Sequence, residues 1–459
     1  MARGAGGRTD DSSEIFGWTM YDWANSGFQT TVVTVLSGPY LTALARARVG
    51  ENGVLLDLGP LVVTAKSFFP YCISLSVLLQ VFLLPVLGAI ADYSHLKKRL
   101  MAICCYAGSL ATSCLFFITE PRVVLGGLLL VIANLCFGAS IVLYNAFLND
   151  ITTEDFRDKV SSRGYALGYL GGGLLLLGNL VLLQNATRLG IGDGLAVRLS
   201  LMSAGLWWGG FAIITFLRLE TRAVANPLPA GQSYLTAGIS RLIDSLRALA
   251  GLPQTLRYLV GYMFFNDGIQ TVISMAAVFL SQELFVARGL PENQSFLVGL
   301  ILMIQFVAFF GAMAFERIAF WIGAKRAILL SLIAWTVTIV YAYGWLQTTA
   351  QAWAMGAVIA MVLGGSQALS RSLFSQMIPA GREAAFFGVY EISERGTSWI
   401  GPLLFGAVAA ATNSYRQAIL SLIVLFIVGI VVLVVTDTER AIHAAGNRLP
   451  EEAAGASPS

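Results

Sequence analysis

The chain has 459 residues, of which 56% are hydrophobic and only 12% charged, against ~45–50% and ~25% in an ordinary soluble domain. That balance excludes a soluble globular protein, and a net charge of +3 leaves no broad basic surface for nucleic acid. Two histidines without a second ring at ligand spacing, and five cysteines (Cys72, Cys104, Cys105, Cys114, Cys136) inside apolar runs, predict no metal site, disulfide framework or cofactor.

A helix needs ~20 apolar residues to cross ~30 Å of hydrocarbon with its backbone satisfied internally. The polar, acidic start M-A-R-G-A-G-G-R-T-D-D-S-S-E resembles neither a secretory signal nor a transit peptide. The first expected span, 16–44, carries Asp22 inside an apolar pattern. Runs free of Asp, Glu, Lys and Arg follow at 67–91, 100–119, 123–149, 164–187 and 199–217, each one span or its core. The longest connection comes next, where N-P-L-P-A-G-Q breaks the chain ahead of an amphipathic stretch, I-S-R-L-I-D-S-L-R-A-L-A. A seventh span, 258–282, again carries an aspartate, Asp267, and 295–315 is the eighth. The uncharged run 327–370 holds 44 residues, or ~66 Å of helix, so it divides into two spans at Q-T-T-A-Q, 347–351. With 397–415 and 417–436 the expected total is twelve.

Placing both termini in the cytoplasm puts 20 of the 29 Lys and Arg on that side and eight on the other, with Arg395 inside a span. The expected fold is an all-α membrane protein of two pseudo-symmetric six-helix bundles, 1–217 and 253–440, with a cytoplasmic linker at 218–252 and a cytoplasmic tail at 441–459.

Internal repetition supports the duplication. N-S-G-F-Q-T at 25–30 matches N-D-G-I-Q-T at 266–271 at four of six positions, an offset of 241 residues. G-A-I-A-D-Y-S-H-L-K-K-R at 88–99 has a counterpart, ending in basic residues, in G-A-M-A-F-E-R-I-A-F-W-I-G-A-K-R at 311–326. A Gly-x-x-x-Asp helix end followed by a basic cluster resembles the signature loop of the major facilitator superfamily, with Gly88, Asp92, Lys97, Lys98 and Arg99 in its places. The usual Asp-Arg pair is Asp92-Tyr93 here, and the second copy has Phe315 where the carboxylate would stand.

Y-D-W-A-N-S-G-F (21–28), F-N-D-G-I-Q-T (265–271), G-Y-A-L-G-Y-L-G-G-G (164–173), G-G-S-Q-A-L-S-R-S (364–372) and F-F-G-V-Y-E (386–391) together resemble the vacuole-effluxer branch of that superfamily, which includes fungal vacuolar amino-acid exporters. The resemblance spans nearly the whole chain and implies a secondary transporter working by alternating access on a small solute, an amino acid or related metabolite. The short tails are more similar to the bacterial members, which implies a bacterial inner membrane.

An ionisable side chain in hydrocarbon costs ~2.5–3.5 kcal/mol on insertion scales, which makes Asp22, Asp267, Glu391, Glu394 and Arg395 candidates. Asp267 lies near mid-membrane and is expected either to carry a coupling proton or to hold a substrate ammonium; the alternative is a helix-interface carboxylate satisfied by Asn266 or a tyrosine. Asn25 and Gln29, like Asn266 and Gln270, stand four apart, so both halves are expected to turn a polar stripe to one cavity, with interhelical hydrogen bonding as the alternative. Asp22 is expected at a gate. Glu391 and Arg395 are spaced to neutralise each other, leaving Glu394 without an intrahelical partner. Arg371 is expected either to clamp a substrate carboxylate or to snorkel to the interface. Gly164, Gly168 and Gly172 are spaced for close helix packing.

No G-x-x-x-x-G-K-[ST] loop is present for ATP, and no H-E-x-x-H or G-x-S-x-G for an intramembrane enzyme. Expected partners are the substrate, the bilayer and a proton, with the chain acting as a monomer; a transporter-fold sensor or scaffold is the competing class.

Overall fold

The computed structural model describes residues 9–50, 53–57, 62–65, 67–92, 96–220, 234–290, 294–395, 400–412 and 414–449. Helices dominate, in chain order α1 (Ser12–Gly27), a π-helical segment (Phe28–Leu36), α2 (Ser37–Val49), α3 (Phe68–Asp92), α4 (Lys97–Cys114), α5 (Val123–Ile151), α6 (Arg157–Gln184) and α7 (Asp193–Arg218). After α8 (Tyr234–Ala250) come α9 (Pro253–Leu284), α10 (Gln294–Ile322), α11 (Ala324–Gly344), α12 (Thr349–Gln376), α13 (Glu383–Arg395), α14 (Ile400–Thr412), α15 (Tyr415–Ser421), α16 (Ile423–Val435) and α17 (Thr438–Ala444). The sequence predicts helix alone, yet two short antiparallel strands, β1 (Val54–Asp57) and β2 (Val62–Thr64), pair in the first long connection. Their β-branched and aliphatic residues suit a short strand pair, and Val63, with Leu55 and Leu56, packs it against the hydrophobic core.

Among the described residues nine helices are long and apolar enough to cross a membrane. Two of the three other expected spans are irregular. The first runs as α1, the π segment and α2; the seventh bends by 49° between Ala276 and Val278, and counted as one span it makes ten. Around the eleventh, α13 and α14 are described and residues 396–399 lie outside the described set. Cys72 and Cys105 are buried, and Cys104, Cys114 and Cys136 are half-buried.

Both described chain ends lie at the same end of the bundle. The Asp10 N–H donates to the Ile151 carbonyl at 2.9 Å, tying the start of the chain to the α5–α6 turn. Asn447 Nδ2 donates to the Gln376 and Ile378 carbonyls at 2.7 and 2.8 Å, tying the end of the chain to the α12–α13 turn. These two turns are joined to each other, because Asn149 Nδ2 donates to the Ser375 carbonyl at 2.9 Å.

The first-half helices meet the second-half helices through α3 on α13, α6 on α10 and α12, and α5 on α13. Glycine sets the closeness of the α3–α13 crossing. A Cβ on Gly88 would stand 2.1 Å from the Ala384 carbonyl oxygen, and one on Gly388 would stand 2.8 Å from the Pro85 Cα. The expected glycine packing on α6 is also present: a Cβ on Gly164, Gly168 or Gly172 would come within 2.8 Å of Asp22, Ser26 or Thr30 on the first span. With lipid as apolar as the side chains, such backbone contact and its dispersion energy hold the helices together.

Gly88→Ala is expected to destabilise the detergent-solubilised protein by ~1–3 kcal/mol, seen as a lower melting temperature, since backbone on the facing helix cannot step aside. Gly178→Ala, with open space around its new Cβ, should leave the melting temperature unchanged or slightly raised.

Candidate functional site

The first span begins at Asp11, whose carboxylate accepts the Ser13 and Glu14 N–H groups at 2.8 and 3.0 Å and caps α1. Two to three turns on, Trp18 and Asp22 reach the seam between the halves. The Trp18 ring stacks on Tyr144 of α5 with centroids 4.3 Å apart, and its Nε1–H donates to the Tyr144 carbonyl at 2.9 Å. Tyr144 in turn donates its hydroxyl to Asp22 Oδ2 at 2.7 Å. α1 and α5 thus form one rigid wall.

Arg371 comes to this wall from α12, near the end where both chain termini lie. It is 2% exposed, so the snorkelling alternative fails: the guanidinium turns inward and meets Asp22 Oδ2 at 3.3 Å (Nη1) and 3.4 Å (Nη2). Nε donates to Ser161 Oγ and Nη2 to the Ser161 carbonyl, both at 2.9 Å, while Nη1 reaches Asn145 Oδ1 at 3.4 Å. The Arg371 Cζ lies 4.2 Å from the ring centre of Tyr165, 4.9 Å from Trp18 and 5.6 Å from Tyr144. Every one of these partners belongs to the first half of the chain. Gly164 makes the approach possible, since a Cβ there would stand 2.4 Å from Asp22 Oδ2 and 3.1 Å from Arg371 Nη2.

The seam continues past Arg371. Asn145 Nδ2 donates to Glu391 Oε1 at 3.2 Å, so Asp22, Arg371, Asn145 and Glu391 alternate between the halves. Ser161 Oγ donates to the Ala368 carbonyl at 2.8 Å and Tyr169 donates to Gln367 Oε1 at 2.6 Å. The side chain of Arg395, the expected partner of Glu391, lies outside the described residues. Glu394 is part-exposed on α13, and its carbonyl accepts from Asn266 Nδ2 at 3.2 Å.

Asp267 is 1% exposed and does not join this cluster. Its Oδ2 accepts the Gly401 N–H at 2.8 Å, placing a carboxylate at the N-terminus of α14, where the free N–H groups and helix dipole favour an anion. Oδ1 has no hydrogen-bond partner among the described residues, and neither has Asn25 Nδ2. Asn25 and Asn266 are buried, Gln270 is half-buried and Gln29 is exposed, so each polar stripe runs from a buried amide to a more accessible one.

The segment after each repeated motif is irregular. Phe28–Leu36 widens to π turns directly after Asn25, and the repeat offset carries this segment onto 269–277, where α9 bends. A π segment inside an α-helix often marks a functional site.

In the signature-like loop, Lys97 bonds Asp150 at 2.9 Å and lies over the Phe147 ring, and Lys98 bonds the Leu219 carbonyl. Arg99 is exposed, Gly88 is the crossing residue against Ala384, and the Asp92 side chain lies outside the described residues. Tyr144, Asn145, Ser161, Trp18 and Tyr165 were not singled out by sequence reasoning. The polar pair Asn145 and Asn149, spaced by four in an uncharged span, is the sequence feature that could have drawn attention to the α5 residues.

Breaking a buried pair by removing one partner costs ~3–5 kcal/mol, because the other charge is left uncompensated. Arg371→Met is expected to destabilise by that amount in a denaturation midpoint, and adding Asp22→Asn should cost little more; additive losses in the double variant would count against the pair.

The family model for "Vacuole effluxer Atg22 like" matches residues 10–446. A Bacillus subtilis protein described as an uncharacterized MFS-type transporter, YxiO, is 29% identical over 424 residues, covering 92% of this chain and 94% of its own. Autophagy-related protein 22-1 of Penicillium rubens is 26% identical, covering 94% and 91%. Among solved structures, the major facilitator transporter FucP in its outward conformation superposes with a TM-score of 0.67 at 11% identity, over 93% of this chain and 98% of that one. A bacterial homologue of the iron transporter ferroportin, in an outward-facing state, gives 0.63 at 13% identity, over 92% and 98%. The chain belongs to the Atg22-like vacuole-effluxer family and has the fold of a major facilitator superfamily membrane transporter.

Proposed function

We propose that this protein is a monomeric, proton-coupled secondary transporter that moves a small solute, an amino acid or related metabolite, across a bacterial inner membrane by alternating access. Twelve spans form two bundles, 1–217 and 253–440, joined by a cytoplasmic linker at 218–252 and followed by a cytoplasmic tail at 441–459. The observation that carries the reading is the buried Asp22–Arg371 pair, which joins the two halves at the end that holds both chain ends. The 20-to-eight charge split supports the cytoplasm as the side this pair closes, and the accessible ends of the polar stripes at Gln29 and Gln270 support a cleft facing away from it.

The pair acts as the inner latch. While it holds, solute enters from the outer side; once it parts, α5, α6, α12 and α13 separate at that end and the cleft opens inward. Lys97, Lys98 and Arg99 with Asp92 bias that equilibrium from the adjacent helix ends. Asn25, Asn266, Gln270 and Gln29 face the solute. Asp267 takes the coupling proton: protonation removes the anion that holds the Gly401 N–H, so the state of the carboxylate is tied to the seat of α14.

Flux in proteoliposomes separates this reading from a sensor or scaffold, which moves nothing. Asp267→Asn keeps volume and hydrogen bonding but not titration, and should abolish pH-driven accumulation while binding and exchange of solute persist. Loss of binding as well would assign Asp267 to a substrate amine, and wild-type pH-driven uptake would refute both roles.

A further inference from the structure

The latch is asymmetric in a way that bears on the solute. The cation comes from one half, whereas the carboxylate, three rings and serine oxygens that receive it all come from the other: Asp22 and Trp18 on α1, Tyr144 on α5, Tyr165 and Ser161 on α6. Asp22, Trp18 and Tyr144 are held to one another and not only to Arg371, through Trp18 Nε1 on the Tyr144 carbonyl and the Tyr144 hydroxyl on Asp22. In the inward opening proposed above, these three keep their mutual bonds and lose the cation. Asp22, 7% exposed while Arg371 is seated, is then left with the Tyr144 hydroxyl and no counter-charge.

We propose that the solute supplies the missing cation: an ammonium or guanidinium group on the cargo replaces Arg371 in the Trp18, Tyr144, Tyr165 and Asp22 cage as the inner end opens. The inference rests on the transporter reading above and names the chemical class of its solute. Three aromatic faces around the guanidinium position, beside one carboxylate, suit an organic cation, because each ring attracts positive charge and sheds water in the same contact. The cage is within reach of the proposed cleft, since Asp22 lies one helical turn from the buried amide of Asn25, whose Nδ2 has no hydrogen-bond partner among the described residues. Among the described residues the charged and titratable groups facing Asp22 are Arg371 from α12, Tyr144 from α5 and Tyr165 and Tyr169 from α6, with Glu391 of α13 reached through Asn145 and Glu394 of α13 acting on the same two α6 tyrosines.

A matched pair of probes tests the charge alone: n-butylguanidinium and its neutral isostere n-butylurea, with n-butylammonium as a third probe, titrated against purified full-length protein by thermal shift. Both cations should stabilise the wild type in a saturable manner and butylurea should not. Tyr165→Leu should weaken cation binding at least about tenfold while Tyr165→Phe retains it, and Asp22→Asn should abolish it. Equal stabilisation by butylurea, or cation binding indifferent to Tyr165→Leu, would overturn the cage as a solute site, and the tyrosine variants decide the matter if Asp22→Asn does not fold. Labelling of Asn149→Cys, read against the same protein without that substitution, reports opening of the inner end: labelling that rises with butylguanidinium at constant pH is expected, and labelling that rises on acidification alone would assign the missing charge to a proton instead. Proteoliposome flux of neutral solutes with no preference for cations would sink this inference and leave transport standing. Cation-selective binding without any flux would sink the transport reading and leave the cage.

Discussion

One buried ion pair governs the arrangement of this molecule. Asp22 and Arg371 lie 349 positions apart in the chain and meet where water is excluded, each with additional partners. Two isolated charges at such a place lose several kcal/mol each in desolvation, so the pair persists only because the hydroxyl of Tyr144, both oxygens of Ser161 and three ring faces offset that loss. The same dependence makes the contact switch-like. An Arg371 halfway out of the cage keeps the desolvation cost of Asp22 and loses the compensation, which favours two discrete arrangements over a continuum.

The pair can form only because the helices around it come unusually close. Gly164 on α6 leaves room for the Asp22 carboxylate and the Arg371 fork together, and Gly168 and Gly172 carry the same close approach along the first span. The α3–α13 crossing, built on Gly88 and Gly388, lets the two halves touch through backbone. A crossing of small residues holds the two helices together through close backbone contact and its dispersion energy. The glycine at the signature-like loop therefore serves first as a crossing residue.

The repeat has a structural echo that its sequence does not announce. Residues 28–36 and 269–277 are related by the offset, and one widens into π turns while the other bends. Both deformations follow an asparagine of the repeated motif, Asn25 or Asn266, but only the first changes the hydrogen-bond pattern, since α9 stays α-helical through its bend. Asp267 stands next to Asn266 on α9, and its carboxylate accepts the Gly401 N–H in the first described turn of α14.

The membrane class, the charge-free spans, the family and the repeated motif at 25–30 and 266–271 are legible in the sequence, because hydropathy over ~20 residues and local identity are properties of neighbouring positions. The sequence also marked Asp22, Asp267, Glu391 and Arg371 as expensive residues, since the cost of a charge in hydrocarbon is independent of its partner. It did not reveal the irregular first and seventh spans, where a π turn or a bend leaves the apolar pattern intact. Tertiary structure alone decided who pairs with whom: Arg371 with Asp22 and not with the interface, Glu391 with Asn145, Asp267 with the Gly401 N–H. Those choices depend on which helix faces meet between the two halves, and a contact across hundreds of residues is set by the packing of the whole bundle, for which no short stretch of sequence carries a sign.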